Sequence, residues 1–226
     1  MTERGVLYGV GVGPGDPELM TVKAVRLLKA CDVIAIPQRD KDRCAAFRIA
    51  AQAVPEIENK PLLALDMPMT RHKEARERAF SAAAEQLTAA LAAGRTVAFL
   101  TLGDPTIYST YGYLHGRVAQ AGFEAIFVPG VPSFCAAAAA LGVSLCADGE
   151  ALHILPGPRA DGGQTGTRVF MKGGAPDVKR ALQDHDGFVW GAENVGMAQE
   201  RLYRSVEEIP EDVGYFTLII AKEREL

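Results

Sequence analysis

Short runs of apolar, β-branched residues alternate along this chain with longer stretches in which apolar residues return every three or four positions. That is the pattern of strands and helices taken in turn. Val6–Val12 reads as a strand running into a glycine-rich turn, and Pro17–Lys29 as a helix with Leu19, Met20, Val22, Ala24, Leu27 and Leu28 as its core stripe. The start of that helix is marked by Asp16 as a cap, Pro17 at the first helical position and Glu18 near the positive end of the dipole. Asp32–Ile36 reads as a second, buried strand. A charge-dense loop over residues 38–48 then enters a helix that ends near Pro55. Residues 72–93 form a long Ala- and Glu-rich helix closed by Gly94. Val97–Thr101 is another buried strand, followed by Leu102-Gly103-Asp104-Pro105 and a helix from Tyr108 to Ala121.

The second half opens with a strand, Ala125–Val128, the turn Pro129-Gly130-Val131-Pro132 and a small-residue helix, Ser133–Leu141. Strands follow at 152–155, 168–172, 188–192 and 215–221, the last suited to an antiparallel pairing, with a helix at 176–185 and a Gly/Pro-rich surface loop at 156–167. Such alternation predicts an α/β fold: two α/β domains, parallel or mixed sheets flanked by helices. The pattern places an N-terminal domain over residues 1–122 and a C-terminal domain over residues 123–226.

Composition narrows the function without naming it. With 48% hydrophobic and 23% charged residues, the chain reads as an ordinary soluble protein. A net charge of -4 gives no general attraction to nucleic acid or to an anionic membrane, yet leaves room for a local basic lining. The N-terminal residues do not resemble a signal peptide, and the longest apolar runs fall short of the ~18 residues of a membrane span. Cys31, Cys44, Cys135 and Cys146 lack metal-ligand spacing, so reduced thiols and a cytoplasmic location are expected. His72, His115, His153 and His185 lie far apart, and no protein-ligated metal is expected.

Three turns carry candidate chemistry. Gly9-Val10-Gly11-Val12-Gly13-Pro14-Gly15-Asp16 follows a strand, and its glycines permit close backbone approach to a ligand. Thr101-Leu102-Gly103-Asp104-Pro105 and Pro129-Gly130-Val131-Pro132-Ser133 also follow strands, at the carboxyl ends where open α/β sheets hold ligands. Each is also ordinary turn chemistry, but three in one chain suit a common cleft. A nicotinamide-dependent oxidoreductase would need an unbroken G-x-G-x-x-G and an acid ending the second strand. Here Pro14 interrupts the glycines, and the strand ends Ile36-Pro37-Gln38. A non-catalytic donor-binding module is a third reading.

The order GxGPGD-P-E-L-x-T, GDP after an apolar strand, and PGV-x-S before an Ala-rich helix resembles the tetrapyrrole methyltransferase family over essentially the whole chain. Longer stretches are similar to its C-20 branch: residues 11–24, residues 99–111 with Leu102 before Gly-Asp-Pro, Met67-Pro68-Met69-Thr70, and Glu193-Asn194-Val195-Gly196. The resemblance implies two α/β domains with S-adenosyl-L-methionine in the interdomain cleft, S-adenosyl-L-homocysteine as by-product, and a homodimer. It implies methyl transfer to C-20 of precorrin-2, giving precorrin-3A in cobalamin biosynthesis, or to the cobalt-loaded counterpart. A relative methylating another ring position, diphthine or ribosomal RNA is disfavoured by Leu102 and the near-neutral composition.

By the same resemblance, Pro14, Leu102, Gly103, Asp104, Ile107, Ser133, Phe134, Met171, Ala192, Glu193 and Asn194 would bind the donor. Transfer from a sulfonium is a displacement that needs alignment above all. A proton must afterwards leave C-20, and Asp16, Asp104, Tyr108 and Tyr111 are candidate bases. The substrate's eight carboxylates call for cations, and Arg39, Lys41, Arg43, Arg71 and Lys73 are the candidates, each also readable as part of a solvated face.

Overall fold

The computed structural model describes residues 4–68, 70, 72–157, 165–171, 176–182 and 185–223. The chain divides into two compact units, Met1–Pro132 and Ser133–Leu226. Each is built on its own five-stranded sheet.

In the first unit the strands are β1 (Val6–Gly11), β2 (Val33–Ile36), β3 (Leu62–Ala64), β4 (Val97–Thr101) and β5 (Glu124–Val128). All four pairings are parallel, in the order β3-β2-β4-β1-β5. The helices are α1 (Val22–Ala30), α2 (Ala45–Ala53), α3 (Lys73–Ala92) and α4 (Tyr111–Gln120). Strand order dictates where they lie. The connections β1–β2 and β2–β3 step one way along the sheet, while β3–β4 and β4–β5 step the other way. Right-handed crossovers therefore put α1 and α2 on one face and α3 and α4 on the opposite face. The core agrees: Phe80, Ala83, Leu87 and Leu91 of α3 pack with Tyr111, Leu114 and Val118 of α4 over Leu7, Val97 and Phe99. Neighbouring strands β1 and β4 thus send their connections to opposite faces, which opens a crevice at their carboxyl ends. The unit runs past the boundary expected after Gly122 because β5 pairs with β1.

The second unit holds α5 (Ser133–Leu141), α6 (Pro176–Leu182) and strands β6 (Leu152–Leu155), β7 (Thr167–Phe170), β8 (Phe188–Glu193), β9 (Arg201–Tyr203) and β10 (Thr217–Lys222). Its sheet is mixed, in the order β6-β7-β10-β8-β9. Among the described residues only β6 and β7 pair in parallel, and β10 is antiparallel to both of its neighbours, as the close of the sequence suggested. Because β7 and β8 both oppose β10, they run parallel to each other and end at the same edge.

Local chemistry moves several expected boundaries. The helix expected over Pro17–Lys29 is a 3-10 turn, Pro17–Leu19, and then α1. Asp16 caps the turn by accepting from the Glu18 N–H at 2.8 Å. Extended Met20 and Thr21 follow, and the Thr21 hydroxyl caps α1 by accepting from Ala24 N–H at 3.2 Å. The helix expected from Tyr108 begins instead at Tyr111, since Tyr108 has φ 47°. Two three-residue strands, β3 and β9, had no counterpart among the sequence expectations.

Candidate active site

The three strand-end turns meet at the carboxyl edge of the first sheet. Val12 N–H donates to the Thr101 carbonyl at 2.9 Å, and Gly13 and Gly103 exchange backbone hydrogen bonds at 3.3 and 2.7 Å. Both glycines have left-handed backbone, φ 77° and φ 69°. The third turn is held by Asp104, whose Oδ2 accepts from Gly130 N–H at 2.9 Å. Its Oδ1 accepts from the N–H of Thr106 at 2.7 Å and from the Thr106 hydroxyl. Side chains are excluded from the knot. A Cβ on Gly130 would lie 2.2 Å from the Gly103 carbonyl oxygen, and one on Gly11 would lie 2.6 Å from it. Glycine is required at both positions because three backbones touch there.

Beside the knot, the Thr101 hydroxyl is buried and has no hydrogen-bond partner among the described residues. Such a group fits a site that receives a polar ligand. Next to it, Pro105, Thr106, Tyr108, Ser109, Gly112, Tyr113 and Phe127 line an open cavity of about 380 Å³.

In the second unit, Met171 and the segment Ala192–Asn194 gather at one sheet edge. Met171 follows β7 and donates its N–H to the Leu155 carbonyl at 2.9 Å. Across β10, Ala192 and Glu193 close β8, paired with Leu218 and Thr217. Asn194 takes φ 51° and donates its N–H to the Phe216 carbonyl at 3.0 Å. Ser133 and Phe134 begin α5, which packs on β8.

The sequence matches the family Tetrapyrrole (Corrin/Porphyrin) Methylases over residues 6–210. The chain belongs to the tetrapyrrole methylase family. The cobalamin biosynthesis protein CobIJ of Mycobacterium tuberculosis strain H37Rv is 35% identical across 96% of this chain, which spans 46% of that longer protein. The chain therefore covers about half the length of that relative. A precorrin-2 C(20)-methyltransferase from Sinorhizobium sp is 33% identical, with 96% of this chain and 94% of that protein aligned. A solved uroporphyrin-III C-methyltransferase from Thermus thermophilus, complexed with S-adenosylhomocysteine, is 25% identical at TM-score 0.68, covering 97% of this chain and 98% of its own.

Within this tetrapyrrole methylase fold, several residues singled out from the sequence have structural duties. Asp104, considered as a base, has both carboxylate oxygens engaged in tying the turns together. Tyr111, also considered as a base, is fully buried, and its hydroxyl donates to the carbonyl of Ile126 at 2.9 Å. Burial pushes its phenol pKa up, so it is a poor proton acceptor where it stands. Its ring lies where a Cβ on Gly9 would be, 2.2 Å away, so Gly9 makes room for a core tyrosine. Asp16 is the cap described above. Of the four base candidates, Tyr108 alone is a largely exposed side chain, 60% accessible, and it lines the cavity.

Glu193 is likewise committed. It accepts from Gly214 N–H at 2.7 Å and from the Tyr203 hydroxyl at 3.1 Å. Burial and the nearby carboxylate raise the Tyr203 pKa. Pro14 and Gly103 are buried in the knot, while Leu102 and Ile107 are half-buried beside it.

The basic candidates are dispersed around the carboxyl edge. Arg39, in the loop after β2, pairs with Asp66, and both are exposed. Lys41 lies 5.6 Å from the Phe47 ring centroid, Arg43 is exposed, and Lys73 is the exposed first residue of α3. Arg71 and Met69 lie outside the described residues. Thr101 and Gly130 belong to the motifs, yet nothing in the sequence marks them as site residues. Their value is visible only once the register sets Gly11 beside Thr101.

Proposed function

We propose that this protein transfers a methyl group from S-adenosyl-L-methionine to C-20 of precorrin-2, giving precorrin-3A in cobalamin biosynthesis. The observation that carries this reading is the knot of three strand-end turns at the crevice of the first sheet, held by Asp104 and closed by Gly11 and Gly130. The C-20 assignment draws on the identity with the Sinorhizobium enzyme across nearly both full lengths and on Leu102 ahead of Gly103-Asp104. The cobalt-loaded counterpart of precorrin-2 is the alternative substrate.

Bound S-adenosyl-L-methionine would supply a methyl group on a positively charged sulfur. The chain's task is then alignment and exclusion of water. Pro14, Leu102, Gly103 and Ile107 of the first unit are proposed to contact the donor, and Ser133, Phe134, Met171, Ala192 and Asn194 of the second unit keep the donor-binding role that the family resemblance implies. Asp104 and Glu193 hold the backbone that makes these contacts. The conjugated ring nitrogens make C-20 nucleophilic, so no strongly activating side chain is needed. Tyr108 is proposed to relay the C-20 proton to water, its phenol oxygen taking that proton as its own O–H passes one on. A cytoplasmic homodimer is the proposed setting.

The test is turnover of isotope-labelled donor with purified precorrin-2, with mass spectrometry and NMR of the product. One added methyl at C-20 is expected. Methylation at another carbon would overturn the positional assignment, and no transfer to any tetrapyrrole would overturn the reading entirely.

A further inference from the structure

The stripe by which α3 packs on the first sheet runs back from Leu91 and Leu87 through Ala84 and Ala83 to Phe80, all buried. Four residues earlier on the same face stands Arg76, since positions four apart on a helix lie one above the other. An arginine thus takes the next place on a core-facing stripe. Its Nε is shielded from solvent and has no hydrogen-bond partner among the described residues.

The acids of the same helix are engaged elsewhere. Glu74 pairs with Arg78 at 3.9 Å, and Glu77 pairs with Arg117 of α4. The residues three and four places before Arg76 are Lys73 and His72, so no acid faces it from its own helix. His72 is the N-cap residue and makes no side-chain cap bond, which leaves the positive end of a 20-residue helix on the same side. His72, Lys73 and Arg76 thus stand together at the start of α3, and among the described residues none of them is ion-paired with a carboxylate.

Their place in the fold is informative. All strands of this sheet are parallel, and α3 joins the end of β3 to the start of β4. Its first turn consequently lies at the carboxyl edge, the edge that carries the knot. The Phe80 ring, one turn further along α3, stacks on Tyr113 at 4.9 Å, and Tyr113 lines the open cavity beside Tyr108.

We propose that Arg76, flanked by Lys73 and His72, is an anion site that takes one side-chain carboxylate of the tetrapyrrole substrate. The inference rests on the tetrapyrrole reading given above. A guanidinium presents a planar fork of donors that matches a carboxylate with two parallel hydrogen bonds. The half-buried setting strengthens that pairing relative to the exposed Arg39, which already holds Asp66. The first turn of α3, rather than the loop after β2, then fixes how the ring lies.

The test uses uroporphyrin III, an octacarboxylate, and its octamethyl ester as probes, titrated into the full chain and into Arg76→Met, Arg76→Gln and Arg76→Lys. Uroporphyrin III is expected to bind Arg76→Met and Arg76→Gln about tenfold or more weakly than wild type. Arg76→Lys should keep part of the affinity, and the ester should not distinguish the variants. S-adenosylhomocysteine affinity and the thermal midpoint should hold in all three. Equal uroporphyrin affinity in wild type and Arg76→Met, or no binding by wild type, overturns the proposal. So does a melting loss in Arg76→Met and Arg76→Gln that accounts for the weaker binding, which marks a structural arginine. Wild type that binds the octacarboxylate through Arg76 yet methylates no tetrapyrrole would instead sink the functional reading alone.

Discussion

Replacing Asp104 by asparagine changes one atom type at the point where the three turns are joined. The carboxylate accepts from Gly130 N–H through one oxygen and from the N–H and hydroxyl of Thr106 through the other. An asparagine has one acceptor oxygen. If that oxygen stays on Thr106, the amide NH2 faces the Gly130 N–H across the present 2.9 Å, donor against donor. The loss comprises a charge-assisted bond, about 1.5–3 kcal/mol, and a half-buried donor left unpaired, about 1 kcal/mol at the low end of that penalty, or roughly 2–4 kcal/mol together. That is a large share of the roughly 5–15 kcal/mol that holds a typical domain. The assay is urea unfolding followed by far-UV circular dichroism, beside calorimetric titration with S-adenosylhomocysteine. Asp104→Asn should lower the unfolding midpoint and weaken the nucleoside in parallel. A variant with wild-type stability and affinity but a collapsed kcat would refute the reasoning and return Asp104 to catalysis.

Three further outcomes follow from the same structure. Tyr111→Phe removes the donor to Ile126 and should cost about 1 kcal/mol of stability while methyl transfer persists; a lost kcat at unchanged stability would restore the phenol as a base. Thr101→Val removes a buried hydroxyl without a partner and should leave the thermal midpoint unchanged or higher, so a clear fall would reveal an unseen bond. Glu150 has its pKa held below the ordinary 4.5 by the Ala147 N–H foremost, with Lys222 and Thr167 adding to it. A depressed folded pKa stabilises above the unfolded value and ceases to do so as pH falls through the folded one. Acid unfolding should therefore steepen below about pH 4.5 in wild type and be shallower in Glu150→Gln, as read by circular dichroism against pH.

The buried strands were legible because they are long enough to show a composition: Val6–Gly11, Val97–Thr101 and Thr217–Lys222 are apolar runs bounded by turns. Leu62–Ala64 and Arg201–Tyr203 have three residues each, too few to display a period. The break after Leu19 was hidden because Thr21 looks like a tolerated helix residue until its hydroxyl is seen capping the next segment. At the site, sequence picked positions better than duties. Asp104, Tyr111 and Glu193 stand where their motifs put them, but their polar atoms bond inward to backbone or neighbouring side chains. Whether a carboxylate faces a ligand or a backbone N–H depends on contacts made across many intervening residues. Arg76 is not legible as a site residue because Lys-Glu-Ala-Arg-Glu-Arg has the composition of a solvated helix face. Only the buried Phe80 one turn on shows which of its charges is turned inward.

A crystal structure of the protein with S-adenosylhomocysteine bound tests the central claim most directly. The ligand should lie at the carboxyl edge of the first sheet, against Gly13-Pro14 and Leu102-Gly103. A nucleoside seated at the amino edge of that sheet, or touching neither turn, would contradict the account.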